Sequence, residues 1–344
     1  MRVITCASYY GTGSSAVTDL FSECGNIYSL GDYEYRFLQE PDGIADLEYN
    51  IVENNHRHNT SDAIKRFQRY MSNNWKMGYG GYKVFGTEYK ALVEQYIDSL
   101  CELKTHTWWN KDRTDKGWLF CQADRAYSLL RRLTSGGLKS EEKYSLLQDR
   151  EYGYYTAISE EIFLDRTRVF VDSLLRTVLP EEYSMIMVDQ MIPPTNTDRY
   201  VRYFNDVRAI VVDRDPRDLY LLEKLKWKWG IIPTSNVEEF VKWFLITRKY
   251  SAPSFDSSGD VLRLKFEDLI YRYEPTVDLL FNFVGVKKED HIYPRKYFNP
   301  QVSIHNTRLF EKHIEYKKDI DYIEHYLNEY IYDYTKLELA EETK

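Results

Sequence analysis

The chain has 344 residues, 43% of them apolar, enough for one large α/β domain with insertions or for two modest domains. Its formal net charge of −8 gives no global basic field for nucleic acid or an anionic membrane, so an anionic ligand has to be met by a local set of donors. Cys6, Cys24, Cys101 and Cys121 are scattered, with no C-x-x-C and no paired histidines; neither a zinc site nor a disulfide framework is expected, and a reducing cytoplasm fits. The apolar run Val3–Ala7 is too short, and too soon followed by Gly and Ser, for a signal peptide, and no stretch is long enough to cross a bilayer. Substrate is therefore expected in the cytoplasm or at its membrane face. The 31 tyrosines and seven tryptophans fit either an aromatic core or a surface that stacks sugars and other flat ligands.

In chain order, residues 2–8 read as a short buried strand and 14–24 as a helix opening on Ser14 and Ser15, both good capping residues. Residues 27–30 suggest a second strand. From 41 to 160 the pattern loosens into helical stretches at 61–74, 87–101 and 122–133, separated by Gly- and Trp-rich loops that include 77–82. A long amphipathic helix over 157–178 leads into a regular alternation: strand 183–188, helix 196–204, strand 207–212, helix from Pro216 through Trp229, helix 236–250, strand 261–266, helix 275–284. Alternation of this kind implies a parallel sheet covered on both faces. The expected organisation is a core split between 1–40 and 180–306, a helical, aromatic-rich insertion at 41–160 beside the acceptor, and a helical tail at 307–344.

The first chemically informative segment is Tyr9-Tyr-Gly-Thr-Gly-Ser-Ser15. Gly11 and Gly13 let the backbone curl and turn N–H groups outward, the new helix contributes unpaired donors and a positive dipole end, and Thr12, Ser14 and Ser15 add hydroxyls. This is an anion cradle. A Walker A loop would need a Lys that is absent. Gly11-Thr-Gly-Ser-Ser-Ala16 matches a dinucleotide fingerprint literally, and a Gly-Ser turn with a helix cap would also look like this.

The second segment is Asp213-Arg-Asp-Pro-Arg-Asp218, placed directly after the apolar strand Ala209–Val212. Pro216 suits a helix start, and the acids suit its positive end. Arg214 would stand at the carboxyl end of a parallel strand, where such sheets bind ligands, with a side chain suited to gripping phosphate. The third is Leu262-Arg-Leu-Lys-Phe-Glu-Asp-Leu269, followed by Pro275 and Phe283-Val-Gly285. Together and in this order, the three segments resemble those of sulfotransferases that use 3′-phosphoadenosine 5′-phosphosulfate (PAPS): a short x-S-G-[ST]-[ST] turn, a strand–R-[DN]-P-x-[DE]–helix, and a [YF]-E-D-L–P–F-x-G stretch.

That resemblance implies an α/β, three-layer parallel sheet of the P-loop kinase and sulfotransferase type. It puts the 5′-phosphosulfate on Gly11, Thr12, Gly13, Ser14 and Ser15, the 3′-phosphate on Arg214, and adenine near Phe266. Ser303 and Asn306 look like a C-terminal loop that closes over PAPS in related bacterial enzymes. The sequence departs from the family at two places: Gly11 stands where many members carry a cation, and Leu222 where they carry a Ser for the 3′-phosphate. Arg36, Lys83 and Arg217 are the candidate replacements for the missing cation.

Sulfuryl transfer needs in-line positioning, charge stabilisation and a base for the acceptor hydroxyl; no metal is expected. Glu34, in Gly31-Asp-Tyr-Glu-Tyr-Arg36, is the first base candidate, since the stretch resembles the G-E-E-x-R of protein-tyrosine sulfotransferases. Asp189, at the end of the strand before the Arg214 strand, is the second. Lys104-Thr-His106 matches the K-T-H of cytosolic sulfotransferases but lies in the insertion, where coincidence explains it better. His56 and His58 read as surface loop residues. The expected function is sulfuryl transfer from PAPS to a hydroxyl of a glycan, lipid-like alcohol or other small-molecule acceptor. The alternatives are a non-catalytic nucleotide-binding relative and a dinucleotide-dependent oxidoreductase.

Overall fold

The computed structural model describes residues 1–77, 81–135, 143–249, 259–335 and 337. Seven strands occur among them: β1 (Arg2–Ser8), β2 (Ile27–Ser29), β3 (Leu103–His106), β4 (Tyr152–Tyr155), β5 (Met185–Asp189), β6 (Val207–Asp213) and β7 (Val261–Lys265). Five of these form one parallel sheet in the order β2-β5-β1-β6-β7, which gives the α/β class expected. The sheet's centre is β1, whose run of six buried residues from Val3 suits a strand covered on both faces. α1 (Ser14–Ser22) and the helix Tyr273–Val284 cover one face, packing Val17, Leu20, Leu280 and Phe281 against Ile4 and Ile210. Another cluster joins the helices Pro216–Leu221, Val237–Arg248 and Lys317–Tyr326 through Tyr220, Phe240, Phe244 and Ile323.

The chain forms two compact units. One comprises Met1–Gln39, Tyr79–Gly86 and Val171–Lys344, and the other Glu40–Gly78 and Thr87–Phe170. The second unit is mainly helical, with long helices at Arg57–Met77 and Trp118–Ser135 and a two-stranded antiparallel ladder of β3 and β4. Much of its aromatic content is core: Tyr96 stacks on Phe170 at 4.4 Å and Phe67 meets both rings edge-on.

Two expected elements differ in form. The helix from Pro216 stays α-helical only to Leu221 and continues as a π-helix from Leu222 to Trp227, closed by Lys228 at φ 54°. Buried Glu223 holds this wider turn by accepting the Gly230 N–H at 2.6 Å. The tail expected to be helical takes the form of short pieces, Leu309–Lys312, Ile314–Tyr316, Lys317–Tyr326 and Asn328–Tyr330. Parts of its backbone are also tied to the core. Asp218 accepts the N–H groups of Arg308 (2.9 Å) and Leu309 (2.7 Å), and Asp215 accepts that of Tyr332.

Candidate functional site

The site is built at the carboxyl ends of β1, β5 and β6. β1 sits between the other two, so the chain's connections diverge on either side of it, and open α/β sheets bind ligands at such a point. Gly11 (φ 64°) and Gly13 (φ 112°) take the left-handed backbone that a side chain resists. A β-carbon at Gly13 would come within 2.5 Å of the Phe266 ring, and one at Gly11 would collide with Trp227. Both glycines are therefore required by packing as well as by backbone shape. Gly13, not a serine, stands at the N-cap of α1, and no side chain caps the first turn. The helix thus begins with unclaimed donors, as an anion site needs.

The hydroxyls divide into two sets. Buried Thr12 donates to the Val212 carbonyl (2.7 Å) and accepts the Tyr9 N–H (3.0 Å), so its hydroxyl shapes the loop and ties it to β6. Ser14 is buried and accepts from the Gln190 amide at 3.0 Å, while Ser15 is exposed.

Arg214 is 3% exposed, and its guanidinium donates to the carbonyls of Gly11 (3.1 Å) and Asn306 (3.1 Å). It lies 3.9 Å from the centroid of the Phe266 ring, so the face of Phe266 expected to meet adenine carries Arg214. The Arg214 Nε is buried without a hydrogen-bond partner. Burial pulls the Arg214 pKa below the usual guanidinium range, against neighbouring Glu267 and Asp218. Burial, then Asp215, push the Glu267 carboxyl up to about 8, with Arg214 opposing.

The acids flanking Arg214 serve the fold. Asp213 pairs with Arg248 (2.7 Å), and Asp215 caps its own helix and pairs with Arg217 (2.7 Å). Asp215, with Asp218, also accepts backbone N–H groups of the C-terminal segment and so ties it to the start of this helix. This delivers Asn306, whose side-chain oxygen accepts from Lys226 at 2.7 Å. Lys226 was missed in the sequence: it lies on the π-helix, beside the Trp227 that packs on Gly11, and among the described residues it has no ion-pair partner. The alternating Lys224-Leu-Lys226-Trp-Lys228-Trp was the available signal. Trp229 stacks on Trp227 at 5.3 Å and is 64% exposed, giving an open aromatic face next to the loop.

The cations expected from the sequence are placed differently. Arg217 is buried, paired with Asp215 and Glu324 and stacked on Phe310. Lys83 is exposed on the turn Gly81–Phe85. Arg36 does reach the loop, bonding the Tyr10 hydroxyl at 3.3 Å and lying over its ring, while it pairs with Glu34 at 2.7 Å. Asp189 ends β5, is 2% exposed, and has a buried Oδ1 without a hydrogen-bond partner. Burial first, then Glu34 and Asp32, raise its pKa well above the usual carboxyl range, with Arg36 opposing. Ser303 closes the short helix Pro300–Ser303 just before Asn306. Leu222 is buried at the first position of the π-helix.

Lys104 and His106 lie on β3 of the second unit, in an antiparallel ladder rather than at the end of a parallel strand. His58 packs on Trp109 at 3.9 Å, also in that unit. Among the described residues, no group of three or more His, Cys, Asp or Glu is arranged to hold a metal ion, and no helix is long and apolar enough to cross a membrane. In the sheet β5 separates β2 from β1, an order different from the adjacent first two strands of a dinucleotide-binding fold.

No family model matches the chain, and no curated protein does. Among solved structures it is similar to the sulfotransferase domain of the Synechococcus PCC 7002 olefin synthase, at 12% identity and a TM-score of 0.41 over 90% of this chain and 88% of that one. It is also similar to retinol dehydratase, solved with androsterone and the inactive cofactor PAP, at 17% identity and a TM-score of 0.31 over 89% and 67%.

Proposed function

We propose that this protein is a sulfotransferase that moves the sulfuryl group of PAPS to a hydroxyl of a small-molecule, glycan or lipid-like acceptor. The observation that carries the reading is the meeting at Arg214 of segments far apart in sequence: the Gly13-capped loop, through the Gly11 carbonyl, and Asn306 with its bound Lys226.

The residues fit a doubly phosphorylated nucleotide. The uncapped first turn of α1 and exposed Ser15 offer donors to a 5′-phosphosulfate. Arg214, with its unpartnered Nε, offers a guanidinium to a 3′-phosphate. Adenine is better accommodated on the exposed Trp229 face than on Phe266, which Arg214 already covers. Bound PAPS would supply the activated sulfuryl group. Lys226 takes the part of the absent loop cation, since its ammonium is held at the mouth of the loop by Asn306 and is free to follow charge growing on the leaving phosphate. Glu34 takes the proton of the acceptor hydroxyl. It is about half exposed and paired with Arg36. Asp189 is buried, and burial, then Glu34 and Asp32, disfavour its charged form; its neutral form is suited to donating a hydrogen bond.

Titration calorimetry with adenosine 3′,5′-bisphosphate, adenosine 5′-monophosphate, NAD and ATP tests the nucleotide. The bisphosphate is expected to bind about a hundredfold more tightly than the monophosphate, since a charge-assisted phosphate contact is worth up to about 3 kcal/mol. Equal affinity, or a preference for NAD, removes the reading. Sulfate release from PAPS onto an acceptor panel then separates an enzyme from a binding relative.

A further inference from the structure

The helix Trp118–Ser135 packs with the wrong face outward for a helix in a water-soluble domain. Trp118 (71% exposed), Leu119 (76%), Leu129 (51%), Leu130 (63%) and Leu133 (55%) all face solvent. At about 100° per residue they fall within roughly 120° of arc, one continuous stripe, with Ala126 inside it, Ala123 just beyond its edge and Gln122 as its single polar member. The opposite face is turned inward and is polar at its centre. There Asp124, 2% exposed, accepts hydrogen bonds from Ser145 Oγ (2.8 Å) and the Leu146 N–H (2.6 Å), and Arg113 approaches it at 3.7 Å. The helix is thus anchored through its polar side, and its apolar side is left for something else. A contiguous patch of this kind marks an interaction surface.

Charge decides which partner it fits. Asp124 is the helix's one acid and is buried, so the charge it shows outward is positive: Arg125, Arg131 and Arg132, none of them in an ion pair among the described residues. Arg125 and Arg132 follow the Trp118 border of the stripe, and Arg131 lies beyond the other. Two copies meeting stripe to stripe would bring these like charges together, which is unfavourable. An anionic bilayer surface offers both complements, acyl chains for the stripe and headgroups for the arginines, with Trp118 at the depth where indole rings settle. The overall charge of −8 makes this a local property of one helix rather than of the molecule. We infer that the helix Trp118–Ser135 docks the protein in the plane of an anionic phospholipid bilayer. The inference rests on this helix alone and is independent of the nucleotide site.

The test is co-sedimentation of the full chain with vesicles of phosphatidylcholine, with and without phosphatidylglycerol. Binding to the anionic vesicles is expected to be at least about tenfold stronger, and to weaken with salt. Leu129→Gln/Leu130→Gln/Leu133→Gln should lower it by about tenfold or more. Arg125→Glu/Arg131→Glu, which leaves the stripe intact, should lower binding to the anionic vesicles alone. All five changed side chains are exposed, and circular dichroism checks that both variants fold. Two results would overturn the inference: vesicle binding that is absent or unchanged in both folded variants, or a wild-type dimer in sedimentation velocity that the leucine variant turns into monomer.

Discussion

The two flanks of the Tyr9–Ser15 loop are built from opposite charge. On the β6 side, Arg214 bonds the loop at Gly11, Lys226 bonds the neighbouring Asn306, and the nearby acids are paired, bonded to backbone N–H groups or, at Glu267, held neutral. On the β5 side, Asp189 lies in the field of Glu34 and Asp32, with Arg36 as the opposing cation. Asp19, on α1, is pushed up to about 6 by burial, with Asp32 and Glu23 adding to it. One flank is arranged to hold negative charge, and on the other burial and neighbouring acids raise the pKa values of Asp189 and Asp19. A reaction that cuts between a leaving phosphate and an attacking hydroxyl needs this asymmetry, whereas a plain anion-binding protein needs only the first flank.

The acidic flank offers the sharpest way to break the comparison. Glu34→Gln keeps the shape and removes the proposed base, so sulfuryl transfer should fall roughly a hundred- to ten-thousandfold in kcat while affinity for adenosine 3′,5′-bisphosphate stays within a factor of about two. If kcat holds, the acidic flank does not take the proton; if affinity falls with kcat, the two flanks are not separable. Steady-state kinetics beside calorimetry distinguishes these results.

On the cationic flank the expected effects are smaller and fall on binding. Arg214→Ala should cost the bisphosphate about a hundredfold in affinity and adenosine 5′-monophosphate far less, because a charged contact to one phosphate is lost. Lys226→Ala should cost about tenfold, mainly in kcat, since an exposed ammonium is screened in the resting enzyme and matters most where charge develops. Equal losses for both nucleotides in Arg214→Ala would make that residue a structural clamp between Gly11 and Asn306 rather than a phosphate ligand.

The comparison also separates what the sequence made visible from what it hid. The sheet was legible because its central strands β1, β5 and β6 are short, mainly apolar and β-branched runs, and the loop because glycine spacing states backbone shape directly. Arg214 was legible as a residue at a strand end. The rest depends on contacts distant in the chain. That Thr12 is spent on Val212 follows from the β1–β6 pairing, and that Phe266 lies under Arg214 follows from the β6–β7 pairing. Lys226 was hidden because a regular α-helix was expected through Trp229, and its bond to Asn306 needs both the π-helix and a tail held by Asp218. Arg36, Lys83 and Arg217 stand out in the sequence by charge alone, and nothing in the sequence reveals that Arg217 is spent on Asp215 and Glu324.

Glu267 makes the last test, because it places an acid beneath the cationic flank. Its Oε1 accepts the Asp215 N–H at 3.0 Å, and its Oε2 is buried without a partner. With a folded pKa of about 8, against the ordinary 4.5, it keeps its proton through neutral pH and leaves the charge of Arg214 uncancelled. An acid whose pKa is raised on folding contributes stability that is full below its unfolded pKa and is lost as pH rises through the folded one. Between pH 6 and pH 8 the unfolded chain has released this proton and the folded chain mostly has not, so unfolding free energy should drop by about 2 kcal/mol from this group. Asp19 and Asp218, raised to about 6, lose their contribution mainly below this window. Glu267→Gln retains an acceptor for the Asp215 N–H but cannot ionise. Urea denaturation at the two pH values should show a drop smaller in the variant than in the wild type by about 2 kcal/mol. Equal drops in both would mean that Glu267 is already ionised beneath Arg214, in which case the cationic flank is half neutralised from within and Lys226 becomes its main charge.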